Sequence, residues 1–110
     1  NPLRNEMANI SEKTEGLITR EELINSKGLT LRDSLASIYH IASYRLTLII
    51  KGGTRNPIEF RNDKNGELTD SMRQAIKTTA GLAKVYFEYI KCADKNNLTY
   101  PLSALAFNIK

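Results

Sequence analysis

The sequence holds one cysteine, one histidine and no tryptophan in 110 residues. A lone cysteine, Cys92, can neither close an intrachain disulfide nor build a cysteine-rich metal site, and a chain that needs neither fits a cytoplasmic setting. The lone histidine, His40, lies far from Cys92 in the chain, so a nucleophilic Cys-His couple has no local basis. No apolar run approaches the roughly twenty residues that a membrane-spanning helix needs. Glycine-rich phosphate loops are also missing, because Gly52-Gly53 lacks the second half of any such motif and reads as a helix stop. The carboxylates of Glu12, Glu15, Glu21 and Glu22 fall on short N-terminal pieces, where they read as helix-start charges and not as a paired acid and base. The expectation is a protein that is not an enzyme and that carries no cofactor and no metal.

Apolar residues make up 41% and charged residues 25%, the usage of an ordinary globular chain rather than a disordered one. The length suits a single domain over residues 1–110. The chain opens on Asn1-Pro2 rather than on Met, which reads as a piece of a longer protein. A formal net charge of +4 favours acidic partners, nucleic acid among them.

Periodicity points to a mainly α protein, a bundle of four to five helices of which two are long. Leu3, Met7 and Ile10 recur at helical spacing before Gly16. Thr19 and Glu22 have the spacing in which each side chain satisfies the other's free backbone amide, Ile18 can pack on Leu23, and Gly28 closes that second helix. Leu31, Leu35, Ile38, Ala42, Leu46 and Ile49 then describe a long helix from about Leu31 to Lys51. Within it, YRLTLII alternates as a half-buried strand would, and with PIEFR it offers a short β-hairpin around residues 45–61 as the alternative. Met72, Ile76, Ala80, Ala83, Phe87 and Ile90 describe the second long helix, with Ala and Gly81 forming a seam for close packing. Leu102, Leu105 and Ile109 suit a last short helix.

Three spellings carry a functional suggestion. DKNGELTD, Asp63 to Asp70, resembles a calcium loop in placing Asp63, Asn65 and Gly66 at loop positions three, five and six. Position one is however Arg61 and position twelve Met72, so two anionic ligands are missing and a cation replaces one of them. The same letters make a turn followed by a cap, and DKNNLTYP, Asp94 to Pro101, repeats that grammar with Thr69 and Thr99 as the two caps. EELINSKGLTLRDSLASIY has the outline of a helix-turn-helix, which would set Thr30, Arg32 and Asp33 at the start of a recognition helix. Finally Lys77, Lys84 and Lys91 recur every seven residues with Arg73 one turn before, a stripe that could face phosphates.

The function expected on balance is a helical protein-protein interaction or regulatory module, acting on a protein partner or by self-association. Its contact residues would be Arg55, Ile58, Phe60 and Arg61, in the segment KGGTRNPIEFRNDKNGE. The alternative is a basic helix-turn-helix-like nucleic-acid-binding domain that uses Arg32, Arg73, Lys77, Lys84 and Lys91.

Overall fold

Between Ile38 and Ile50 the chain carries four isoleucines, two tyrosines and Thr47. Such stiff or broad side chains lose rotamer freedom in a helix and pack well on a pleated surface. In the computed structural model, which describes residues 6–52 and 55–110, His40–Ile50 of this stretch is accordingly a strand. The elements run β1 Glu15–Ile18, α1 Arg20–Asn25, α2 Asp33–Ala36, β2 His40–Ile50, β3 Ile58–Asn62, α3 Asp70–Thr78, β4 Leu82–Ala93, β5 Thr99–Pro101 and β6 Leu105–Ile109. The helical bundle is therefore overturned: the protein is mainly β, a six-stranded mixed sheet with three short helices among the described residues.

The sheet runs in the order β1-β6-β4-β2-β3. Strand β2 pairs antiparallel with β3 on one side and with β4 on the other. The far side of β4 holds β6 along residues 84–87 and β5 along residues 91–93, both antiparallel, and β1 joins β6 in parallel. The β2–β3 pairing, with Leu46 opposite Phe60 and Leu48 opposite Ile58, realises the hairpin around residues 45–61 as one corner of a much larger sheet.

Both long helices fail for physical reasons that their sequences contain. Core positions in β2 are Tyr44, Leu46, Leu48 and Ile50, at a spacing of two, whereas Ile38 of the supposed helical stripe is 49% exposed. Helix α3 begins where expected, with the Thr69 hydroxyl accepting from the Met72 N–H at 3.2 Å, but it stops at Thr78. Gly81 follows at φ +73°, a conformation that ends a helix, and LAKVYFEYIKCA continues as β4. The last segment is strand β6, with Leu105 and Phe107 inward. At the N-terminus, Leu3 lies outside the described residues. From Met7 to the start of β1 there is no helix: Asn9 bridges to Thr30, and a tight turn over Ile10–Lys13 leads into β1.

One face of the sheet, built by Tyr44, Leu46, Leu48, Val85, Phe87, Ile90 and Phe107, packs in a single core with Leu23 of α1, Leu35 of α2 and Met72 and Ile76 of α3. The opposite face has no helix over it among the described residues and presents exposed Glu59, Arg61, Lys84, Lys91 and Asn108. Among the described residues no helix is long and apolar enough to cross a membrane.

The two similar loops serve different ends. DKNGELTD does make a turn and a cap, but the organising group is the preceding Asn62, which is 8% exposed. Its amide oxygen accepts from the Lys64 and Asn65 N–H groups, and its amide nitrogen donates to Asn65 Oδ1 and the Glu67 carbonyl. Asp63, a calcium ligand in the other reading, is instead exposed and paired with Arg61 at 3.2 Å. The echo does not lead into a helix. It is the hairpin turn between β4 and β5, where Asp94 accepts from the Asn96 and Leu98 N–H groups and the Tyr100 hydroxyl, and Thr99 opens a strand.

Desolvation pushes the Asp94 carboxyl upward, but the hydrogen bonds from Leu98, Tyr100 and Asn96 outweigh it and hold the group below its ordinary value. A depressed carboxyl contributes stability that is present above its unfolded pKa of about 4 and lost as pH falls through the folded value. Asp94→Ala is therefore expected to lower the melting temperature at pH 7 and to approach the parent at pH 3. A gap that stays constant or widens on acidification would refute this role.

Candidate functional site at the open edge of the sheet

The alternation Ile58-Glu59-Phe60-Arg61 gives β3 two unlike faces. Ile58 and Phe60 turn toward the core and remain half-buried, while Glu59 and Arg61 are exposed on the other side. Pro57 stands just ahead of the strand, where its missing N–H breaks no ladder. Arg55 anchors the approach to β3 by donating to the Ala80 carbonyl at 2.8 Å, so it ties two loops together. Strand β3 lies at the end of the sheet and pairs only with β2 among the described residues.

The opposite edge is built differently. On β1 the Lys13 ammonium donates to the Leu17 carbonyl at 3.0 Å and pairs with Glu22 at 2.8 Å, so a side chain occupies an edge acceptor. No comparable side-chain bond reaches the backbone of residues 58–61 among the described residues. An unpaired row of N–H and C=O groups is a template for another strand.

Beside this edge, on the helix-free face, Ser43, Tyr44, Arg45, Arg61, Tyr89 and Lys91 line a depression without a carboxylate in its wall. Arg45 is fixed from three directions. It pairs with Glu59 and Glu88, each at 3.2 Å, and its guanidinium carbon lies 4.5 Å from the centre of the Tyr89 ring. Burial would lower the pKa of Arg45, but Glu88 and Glu59 outweigh that effect and raise it. Its Nε is buried without a partner among the described residues, so the clamp on the guanidinium leaves one donor unsatisfied there. Thr47, buried although it faces outward, donates to the same Glu88 at 2.7 Å.

Tyr89 is 68% exposed and adopts φ +51°, which a bulky residue rarely takes. It belongs to a bulge, since β4 places two residues, Tyr89 and Ile90, opposite the single Tyr44 of β2 between the pairs Arg45–Glu88 and Ser43–Lys91. That bulge also decides which lysines share a face. Seven residues along a regular strand Lys84 and Lys91 would point to opposite sides, and the extra residue returns both to the open one.

The five residues of the nucleic-acid alternative are not brought together. Arg32 pairs with Glu6 at 2.9 Å beside α2, a helix of only four residues, so the long recognition helix of a helix-turn-helix is absent. Arg73 is partly buried and donates to the carbonyls of Ile24, Ser26 and Leu68. Lys77 sits near Arg20, Glu21 and Ile24 in the helical layer, whereas Lys84 and Lys91 lie on the far side of the sheet. Of the four residues expected to contact a partner, Ile58, Phe60 and Arg61 do share one strand, and Arg55 stands just before it. His40 and Cys92 are on neighbouring strands, yet they occupy opposite faces. His40 is exposed, while Cys92 is fully buried opposite Ile41, and burial pushes its thiol pKa up.

Arg45, Glu59 and Tyr89 belong to this surface and were not among the expected contact residues. The alternation in PIEFR carried the signal for Glu59, since a strand that buries Ile58 and Phe60 must expose it. Nothing local marked Tyr89, which is positioned by a bulge. No protein-family model matches the sequence, and a comparison with curated proteins finds no significant match.

Proposed function

We propose that this chain is a non-enzymatic protein-interaction module that accepts an extended segment of a partner along the free edge of β3. The observation that supports the reading is the edge itself, unpaired among the described residues and flanked by half-buried Ile58 and Phe60 on one side and by exposed Glu59 and Arg61 on the other. A strand added there would gain main-chain hydrogen bonds from the edge and specificity from its alternate side chains, apolar ones against Ile58 and Phe60 and charged ones beside Glu59 and Arg61. Arg45, held by Glu59 and Glu88, and exposed Tyr89 beside it supply at the margin the residue types that concentrate binding energy at protein interfaces. A cytoplasmic setting belongs to the same reading and is supported by the single, buried cysteine.

The test is an NMR titration of the isotope-labelled protein with a short peptide that alternates valine with glutamate and lysine, at concentrations up to the order of 1 mM, where weak strand addition becomes visible. Amides of residues 58–62 are expected to shift, and the same peptide N-methylated at alternate residues is expected to leave them unmoved. Shifts that survive N-methylation, or that avoid β3 altogether, would dispose of the reading.

A further inference from the structure

Taking β3 as a strand acceptor, the reading on which this step rests, we infer that its edge is matched to a second copy of itself. Antiparallel pairing of two β3 strands about a two-fold axis through Phe60 sets Glu59 opposite Arg61 of the second copy, and Arg61 opposite Glu59 of the second copy. Phe60 then meets its own equivalent, and Ile58 lies across from Asn62. Oppositely charged residues placed symmetrically around one aromatic residue are what an isologous contact requires, because each half must complement itself. Edges that natural sheets protect from pairing carry charges that repel an incoming strand, and this edge instead carries one charge of each sign, two residues apart.

Three further observations fit this occupant. The groups that would meet are accessible, with side-chain exposures of 51% for Glu59 and 71% for Arg61. The present partner of Arg61 is exposed Asp63, and an ion pair of that kind is weak enough to exchange. Glu59 pairs with Arg45 of β2 on the inner side of β3 through one carboxylate oxygen and stays half exposed, so its other oxygen is left for the second copy's Arg61 on the outer side. The paired chains would share one continuous sheet through β2-β3-β3-β2, with Ile58 and Phe60 of both copies covered on the core side.

Sedimentation equilibrium from micromolar to millimolar protein tests this. The parent chain is expected to approach twice its monomer mass as concentration rises. Glu59→Arg sets like charges opposite each other at both symmetric positions, as does Arg61→Glu, and each is expected to weaken association on the order of tenfold or more. Mixing these two variants in equal amounts is expected to restore association, because both cations on the edge of the E59R chain then face both carboxylates on the edge of the R61E chain. The doubly reversed chain, E59R with R61E, is expected to associate like the parent. A parent that stays monomeric throughout, a dimer indifferent to the single reversals, or a mixture no tighter than its components would each overturn the self-pairing. The peptide titration above fails separately, since it reports strand acceptance whether or not the chain pairs with itself.

Discussion

Gly28→Ala is expected to destabilise the protein by about 3 kcal/mol or more, from backbone strain and overpacking together, and to lower its melting temperature by more than roughly 10 °C. Gly28 has φ +131°, where side chains are rarely found, and its Cα lies against another stretch of backbone. A Cβ built there would collide with the Gly66 carbonyl oxygen and come within 2.7 Å of Glu67 Cα and 2.9 Å of Leu68 N. None of these atoms can rotate away as a flexible side chain would. The two stretches are joined by hydrogen bonds from Leu29 N–H to the Gly66 carbonyl at 2.8 Å and from Leu68 N–H to the Lys27 carbonyl at 3.1 Å. Relieving the collision means parting them and disturbing buried Leu29 and Leu68 on either side. Chemical denaturation of the variant measures the loss, and a value under about 1 kcal/mol would mean the crossing is looser than described. The sequence suggested that this glycine ended a helix. Its actual role is to let two loops touch, which one-dimensional spacing does not encode.

The same distinction separates what was legible from what was not. Helix starts depend on side chains three residues apart, so Thr19 with Glu22, and Thr69 ahead of α3, could be read directly, and both caps are formed. The alternation of YRLTLII against PIEFR is likewise local, and both segments are strands. Strand β4 could not be read this way. Its buried residues Leu82, Val85, Phe87, Ile90 and Cys92 are spaced three, two, three and two apart, and each interval of three spans a bulge, at Ala83 or at Tyr89 and Ile90. The intervals of three that the bulges create are also those of a helical stripe, so a doubly bulged strand partly imitates a helix in its spacing. In α2 and β2, Leu31 and Leu35 are buried at a helical interval, but Ile38 is exposed and the inward positions then fall two apart from Tyr44. The candidate site shows the same limits. Ile58, Phe60 and Arg61 stood out by placement and charge, whereas Tyr89 reaches the surface only because the bulge reverses strand parity.

Arg73 supplies the second large effect, and it separates a structural clamp from a member of a basic binding stripe. From α3, its Nε donates to the Ile24 carbonyl at 3.1 Å, Nη2 to the Ser26 carbonyl at 2.9 Å and Nη1 to the Leu68 carbonyl at 2.6 Å. The first two acceptors are at the C-terminal end of α1, whose carbonyls carry the negative end of the helix dipole. Arg20 of α1 returns the contact, its Nη1 donating to the Ile76 carbonyl at 2.9 Å and the Thr79 carbonyl at 2.7 Å at the end of α3. Each short helix thus has its last carbonyls satisfied by an arginine of the other, which compensates for lengths of only six and nine residues. Arg73→Met keeps the apolar stem and removes every donor, so three partly buried carbonyls lose charge-assisted bonds at a cost of about 3 kcal/mol. Arg20→Met removes two bonds to partly buried carbonyls and a third, 3.5 Å and exposed, to the Lys77 carbonyl, all from one nitrogen, and is expected to cost about half as much. Because both clamps hold the same helix pair, the double variant should lose less than the sum, with a coupling of about 0.5 kcal/mol or more in a double-mutant cycle. Denaturation gives the four stabilities, and hydrogen exchange should show early opening of α1 in both single variants. If Arg73→Met instead kept its stability and weakened the binding of acidic ligands, the arginine would belong to a charged surface, as its place in the lysine stripe suggested, and the reciprocal clamp would be wrong.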